Sequence, residues 1–487
     1  MRRIGFLAWR LVRQGAILLG VVVVALLAIR IVESERGPPL RPWHTVVPPE
    51  PDVAALDRAD WAAWLAAEQA AMEAVRTRVT ERLAPEDQVP ANRYFAGSPM
   101  NPRHFMRDWN RSFVLAPAGA PRGAAVLLHG MTDAPYSLRH VAEFYQARGF
   151  LALGIRMPGH GTVPAGLRTA AWEDWMAATR LAVRAARARV PAPLPLHLVG
   201  YSNGGALAMK HALDALEDPA LPRAGRIVLL SPMIGVTEFA RFAGLAALPA
   251  LLPGIAKAAW LDLLPEFNPF KYNSFPANAG RQSWRLSSTL QAQILRLHGA
   301  GRLGELPPVL TFQSVADATV STPAVLSALY ERLPANGSEL VLFDLNRSAR
   351  MEGLVSPAAA ALLGRILPPA PRPWRATVIT NAAPGSDAAE ARSTAAGEAA
   401  EGATPIGLDW PREFYSLSHV ALPFPLGDGL YGLRPDPADR FGVRLGTLAP
   451  RGERGVLLVG TDGLMRVSSN PFFPYVLERI GQGIVGP

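Results

Sequence analysis

The chain has 487 residues, 49% of them hydrophobic, enough to bury one large core with accessory elements. It holds no cysteine, which excludes disulfides and thiolate metal sites. The formal charge of +9 is carried almost entirely by arginines scattered through amphipathic segments such as TRLAVRAARARV, with lysine only at Lys210, Lys257 and Lys271. Such scattered charge marks solvated faces and speaks against a nucleic-acid partner.

In chain order, Arg2, Arg3, Arg10 and Arg13 precede AILLGVVVVALLAI, residues 16–29, an uncharged helix-compatible run ending at Arg30, which can snorkel. With its apolar flanks it reaches the roughly 20 residues a bilayer requires. The bulky residues of LLAIRIVESERG leave no small-x-small cleavage site, so residues 1–36 are predicted to be an uncleaved single-pass anchor. The leading arginines then stay cytoplasmic and the body is extracytoplasmic, periplasmic in a Gram-negative cell. GPPLRPWHTVVPPEP reads as an extended, semi-rigid spacer, and residues 56–83 as a helix.

The next stretch carries chemistry. Residues 124–128 of AAVLLHGMTDAP form a buried strand running into His129, Gly130 and Met131. A second apolar run, PLHLVG at 195–200, leads into G-x-S-x-G centred on Ser202, and NGGALAMKHALDAL, residues 203–216, has helical spacing. A serine at so tight a strand-to-helix turn is exposed at its tip, with Gly200 and Gly204 removing the Cβ atoms that would obstruct it. The backbone N–H groups of Met131 and Asn203 are placed to converge on a carbonyl oxygen, while His129 reads as a neutral ring pinning the loop or as an ordinary strand-end histidine. A nucleophilic serine needs a base. Of the histidines after it, His211 lies on the elbow helix and His298 in a helical stretch, which leaves His419 in FYSLSHVALPF. For the orienting acid, Asp317 follows the apolar strand 308–312 and Asp344 ends ELVLFDL; both remain candidates on the residues alone. No His and carboxylate cluster suits a metal, no phosphate loop is present, and no cofactor is implied.

Taken together, LLHGMTDAPYSLR at 127–139, GIRMPGHGTVPAGL at 154–167, the W-x-x-W of AWEDWMAATR, GYSNGG and QSVADATV resemble the α/β-hydrolase superfamily, in its monoacylglycerol lipase and carboxylesterase-like branch. The resemblance spans residues 123 to about 345. It implies a mostly parallel sheet flanked by helices, Ser202 as nucleophile, Asp317 as acid, His419 as base, and Met131 with Asn203 as oxyanion donors. It also implies leading antiparallel strands in YFAGSPMNPRHFMRDWNRSFVLAP, and a loop-stabilising role for His160 in PGHGT. The expected function is cleavage of carboxylic esters, lipid-like or monoacylglycerol-like. The alternatives are an acyltransferase or thioesterase with the same triad, or a non-catalytic membrane-tethered binding protein of the same fold.

The expected organisation is an anchor over 1–36, a spacer, helix and leading strands over 37–122, core halves over 123–236 and 306–487, and a helical cap over 237–305. Trp260, Phe267 and Phe270 are the candidate walls of an acyl site under that cap. The chain departs from the family between ELVLFDL and His419. There SPAAAALLGRIL reads as a helix, WRATVIT as a strand, and residues 381–405, rich in Ala, Gly, Ser and charge, as the disordered part of an insertion over about 346–410.

Overall fold

The computed structural model describes residues 2–235, 248–251, 255–348, 361, 364, 366–448 and 466–484. The strands are β1 (Phe113–Leu115), β2 (Gly123–Leu128), β3 (Phe150–Ile155), β4 (Leu196–Tyr201), β5 (Arg226–Leu230), β6 (Trp260–Asp262), β7 (Phe275–Pro276), β8 (Val309–Ser314), β9 (Glu339–Phe343), β10 (Arg375–Asn381), β11 (Ala388–Thr394) and β12 (Glu401–Asp409). The helices longer than a single 3-10 turn are α1 (Arg2–Arg36), α2 (Pro42–Thr45), α3 (Val53–Arg58), α4 (Trp61–Arg78), α5 (Arg139–Ala147), α6 (Trp172–Arg189), α7 (Asn203–Glu217), α8 (Ala277–Gly299), α9 (Thr322–Ala328) and α10 (Phe473–Gln482).

Among the described residues one sheet runs β1-β3-β2-β4-β5-β8-β9-β10-β11-β12, with β6 and β7 pairing apart from it. From β3 to β10 every pairing is parallel. Strands β2, β3, β4, β8 and β9 are buried along their whole length, which is why they read as unbroken apolar runs: helices cover both faces. Alternate residues divide between two cores. Ala124, Val126, Leu128, Leu196 and Leu198 pack with α6, α7 and α8. Ala125, Leu127, Val199 and Tyr201 pack with α5 and α10. Right-handed crossovers through helices are the expected way to join such strands, and they place the loops that leave β2, β4 and β8 at one edge of the sheet.

Several expectations change. The helix expected over 56–83 is broken into α3 and α4, because Asp60 leaves the helical conformation and caps α4 by accepting from the Ala63 N–H at 2.8 Å. Only β1 of the leading antiparallel strands forms, against β3. The proline-rich spacer is docked: Trp43 and His44 are buried, and Glu50 bonds the guanidinium of Arg156 at 2.6 and 3.0 Å. Arg156 is wholly buried and also reaches Glu68 of α4 at 3.2 Å, so its charge is compensated from both sides. Of the expected cap, residues 237–247 and 252–254 lie outside the described residues, and α8 belongs to the core, burying Leu286, Leu290, Ile294 and Leu297 against α7.

The segment expected to be disordered, 381–405, is instead ordered sheet. β10 extends β9 in parallel, and β11 and β12 continue as an antiparallel hairpin at the sheet edge. Ala389, Ala391 and Thr394 are the buried residues of β11, all with small side chains. A low content of large apolar residues therefore does not prevent ordering where a small side chain suffices to cover an existing edge. The expected helix over 356–367 lies almost entirely outside the described residues.

Candidate active site

Ser202 connects β4 to α7 with φ +54 and ψ −116, a left-half backbone that an L-residue enters only when its surroundings hold it there. They do so by hydrogen bonds: the Ser202 N–H donates to Leu230 O at 3.0 Å, and its carbonyl accepts from Gly205 N and Met233 N, each at 2.9 Å. The glycines are required by contact. A Cβ on Gly204 would stand 1.9 Å from the Leu128 carbonyl oxygen, and one on Gly200 2.3 Å from the Gly204 oxygen. Ser202 keeps 8% of its surface open to solvent.

The loop after β2 lies over the serine: a Cβ on Gly130 would come within 3.2 Å of Ser202 Cβ. His129 pins this loop. Its Nε2 accepts from the Met157 N–H at 3.0 Å, which leaves Nδ1 as the protonated nitrogen facing Gly130 O at 2.9 Å. Burial pushes its pKa down to about 4, so the ring is neutral and structural, as the sequence suggested. His160 has the expected loop role, with Nδ1 3.1 Å from Pro158 O and its ring against His129 and Trp175. Asn203 opens α7, so its N–H is one of those a helix leaves unpaired, and Met131 follows Gly130 in the loop above.

Asp317 stands beyond the end of β8, and each carboxylate oxygen has two partners. Oδ1 accepts from Thr319 N at 2.8 Å and Val320 N at 2.9 Å; Oδ2 accepts from Gln313 Nε2 at 3.1 Å and His419 Nδ1 at 2.9 Å. Burial alone would raise its pKa, but the bond to and charge of His419, with the two backbone donors, outweigh burial and hold it below the ordinary value. The bond fixes the Nδ1–H tautomer and leaves Nε2 as the free basic nitrogen. The His419 ring stacks on Tyr201, the neighbour of Ser202, with centroids 5.3 Å apart and planes at 30°.

The other candidates sit elsewhere. Asp344 is held by Arg347 at 2.6 and 3.1 Å and by the Thr380 hydroxyl at 2.9 Å. His211 faces Pro222 O at 3.3 Å and His298 faces Arg332 O at 3.2 Å. The insertion before His419 leaves and rejoins the core at one place: Asn346 N donates to Tyr415 O at 2.8 Å, Asn346 Nδ2 to Phe414 O at 2.8 Å, and Ser314 Oγ to Leu417 O at 2.8 Å. An excursion whose ends already meet adds little closure entropy, so the long separation does not displace the histidine.

Beside this cluster lies a cavity of about 330 Å³ lined by Asp133, Tyr201, Phe267, Lys271, Val420 and Arg466 among others. Sequence reasoning passed over Asp133 and Lys271. The available signals were an acid within HGMTD and one of three lysines in an arginine-rich chain. Of the three aromatics expected to wall an acyl site, only Phe267 lines the cavity; Phe270 stacks on Tyr136 at 4.1 Å and Trp260 packs edge-on to His44 at 4.9 Å.

Parallel sheet, glycine-crowded elbow and the loop above it define the class of architecture: the fold is that of the α/β hydrolases. Residues 119–346 match the model of the family described as serine aminopeptidase, S33. The chain is similar to a thermostable monoacylglycerol lipase of Bacillus sp. (strain H-257), 25% identical over 218 residues that make up 44% of this chain and 78% of the lipase. Among solved structures it is similar to the monoacylglycerol lipase of Paleococcus ferrophilus, 17% identical over 48% of this chain and 87% of that one, TM-score 0.36. It is also similar to a soluble variant of monoglyceride lipase from Saccharomyces cerevisiae, 14% identical over 47% of this chain and 80% of that one, TM-score 0.36.

Proposed function

We propose that the chain is a membrane-anchored serine hydrolase that cleaves carboxylic esters of the lipid-like or monoacylglycerol-like kind. The observation that carries this proposal is the 2.9 Å bond between His419 and Asp317, across 102 residues of sequence, with the histidine ring stacked on Tyr201, the residue before the strained Ser202. The similarity to monoacylglycerol lipases supports the substrate class.

In this mechanism His419 Nε2 takes the hydroxyl proton as Ser202 Oγ attacks the ester carbonyl. Asp317 holds the tautomer and stabilises the imidazolium, and the N–H groups of Met131 and Asn203 hold the oxyanion. The imidazolium returns the proton to the departing alcohol. Water, activated by the same nitrogen, then releases the acid from the acyl-enzyme and restores the serine. The unpaired N–H groups at the start of α7 favour negative charge at this end of the helix.

The anchor is α1. Within its stretch Arg13–Arg36 an 18-residue window has mean hydropathy 2.8 and no buried residue, which sets it apart from a core helix; among the described residues it alone is long and apolar enough to cross a membrane. The proposed topology is single-pass, with the N-terminus cytoplasmic and the body outside.

Labelling of the detergent-solubilised full chain with a fluorophosphonate tests the proposal, because only an activated serine reacts quickly. Wild type should label within minutes, and Ser202→Ala and His419→Ala should both lose the signal. Labelling that survives in Ser202→Ala rejects the assigned nucleophile.

A further inference from the structure

The cavity beside the serine is charged in a way that ester cleavage alone does not require. It touches three segments of the proposed machinery: Tyr201 precedes the nucleophile, Asp133 stands two residues beyond Met131, and Val420 follows the base. It therefore adjoins the segment that carries His419, the proposed donor of a proton to the departing alcohol. Leu264, Phe267, Phe424 and Leu445 give it apolar walls, while Lys271 and Arg466 bring two cations to it.

Arg466 donates to the Thr319 hydroxyl at 2.8 Å, which ties it to the loop of Asp317 and keeps its head at the cavity rim. Among the described residues the Lys271 ammonium has no hydrogen-bond partner. Its neighbour Tyr272 is held instead, its N–H on Thr132 O at 2.8 Å and its phenol on Gly159 O at 3.1 Å, so the backbone carrying the lysine is fixed. Tyr431 accepts from Asn268 Nδ2 at 2.6 Å, leaving its own hydroxyl proton to donate to a guest. Among the described residues Asp133 is the one carboxylate in the lining and forms no ion pair with Lys271; burial raises its pKa to about 7, against the opposing pull of Lys271 and the Ala134 N–H. Burial also lowers the pKa of Lys271, against the pull of Asp133, so among the described residues the lining sets two basic side chains, Lys271 and Arg466, against one weakened carboxylate in a space with low-dielectric walls, where a fixed charge acts strongly on a guest.

We propose that this cavity is the subsite for an anionic group on the alcohol side of the ester, a phosphate or a carboxylate, and that Lys271 with Arg466 determines this specificity. The inference rests on the ester-hydrolase proposal above. Arg466 lies in the C-terminal part of the chain, outside residues 119–346 that match the family model, so this charge is a feature of this chain's own extension.

The test compares three butyryl esters, kept short so that all stay monomeric: butyryl-glycerol, butyryl-glycerol phosphate and butyryl-glycerate. The readout is the ratio of kcat/KM for each anionic ester to that for the neutral one, which cancels any loss of folded enzyme. Wild type should favour at least one anionic ester by about tenfold, the scale of one charge-assisted hydrogen bond. Which ester is favoured identifies phosphate or carboxylate as the group. Lys271→Met should lower that ratio about tenfold, Lys271→Arg should recover most of it, and Asp133→Asn should raise it. A wild-type ratio near one for both anionic esters, or a ratio that Lys271→Met does not move, overturns the inference while fluorophosphonate labelling leaves the hydrolase proposal standing. A wild type that neither labels nor cleaves any of the three overturns both.

Discussion

A carboxylate that accepts four hydrogen bonds has no freedom left, and Asp317 is such a group. Asp317→Asn would present an amide to His419 Nδ1 and favour the wrong tautomer, so kcat on a nitrophenyl butyrate should fall roughly 10³–10⁴-fold. Asp344→Asn is the contrasting variant. Its carboxylate is spent on Arg347 and Thr380, and kcat should stay within about twofold. Asp428 is fully buried among Tyr136, Arg139 and His140, with His140 Nε2 at 2.9 Å. Burial alone would raise its pKa, but the His140 bond and the charges of His140 and Arg139 draw it down to about 2. Burial likewise opposes the charge on His140, yet its bonds to Asp428 and Glu143 outweigh that and raise its pKa above 6.5. The Asp428 share of stability, on the order of 2 kcal/mol, is therefore complete above about pH 4 and lost as pH falls towards 2. The His140 share is complete below about pH 6.5 and lost as pH rises through its elevated folded-state value. Thermal midpoints measured across pH 3–9 should form a plateau between these limits, and Asp428→Asn should remove the alkaline slope. An unchanged slope in that variant rejects the assignment.

At the scale of elements, the site depends on how closely α7 approaches β2. Gly204 makes that approach, and a Cβ there would meet backbone that cannot swing aside. Gly204→Ala should therefore push α7 away from the strand, destabilise the chain by about 1–3 kcal/mol or more, and slow fluorophosphonate labelling at least 10²-fold in protein that remains folded. Normal labelling of folded Gly204→Ala would show that the elbow tolerates the shift. This part of the molecule was legible in the sequence because buried parallel strands leave unbroken apolar runs and tight turns leave glycines. The insertion was not. Its ordering rests on three small buried residues of β11, Ala389, Ala391 and Thr394, while β12 buries none, so a composition window finds no apolar pattern there. The charged cavity was hidden for another reason: Asp133, Lys271 and Arg466 come from three distant segments, and only the fold brings them to one space. His419 was reached by elimination, and what placed it, the meeting of Asn346 with Phe414 and Tyr415, has no local sequence signature.

At the scale of the whole molecule, the body is tied to the end of α1. Lys257 Nζ donates to Glu35 O at 3.2 Å and Gly37 O at 3.0 Å, and the Arg30 guanidinium donates to the Trp260 carbonyl, so the segment around residues 257–260 is fastened to the end of α1. The same residues then continue into the docked spacer, whose Glu50 closes on buried Arg156. If α1 spans the bilayer, the catalytic body sits against the membrane face on one side only. Positive charge decides which side: Arg2, Arg3, Arg10 and Arg13 precede the apolar run, and moving them across costs more than leaving them in the cytoplasm. The absence of cysteine makes this directly measurable, since a single introduced thiol is the only one in the chain. Arg3→Cys and Glu398→Cys, the latter at an exposed turn between β11 and β12, should be compared with a membrane-impermeant maleimide on intact spheroplasts and on lysed ones. Cys at 398 should label in both and Cys at 3 only after lysis, while the chain stays in the membrane fraction through a carbonate wash. The reverse pattern would place the body in the cytoplasm, and release by carbonate would mean that α1 binds the surface without crossing it.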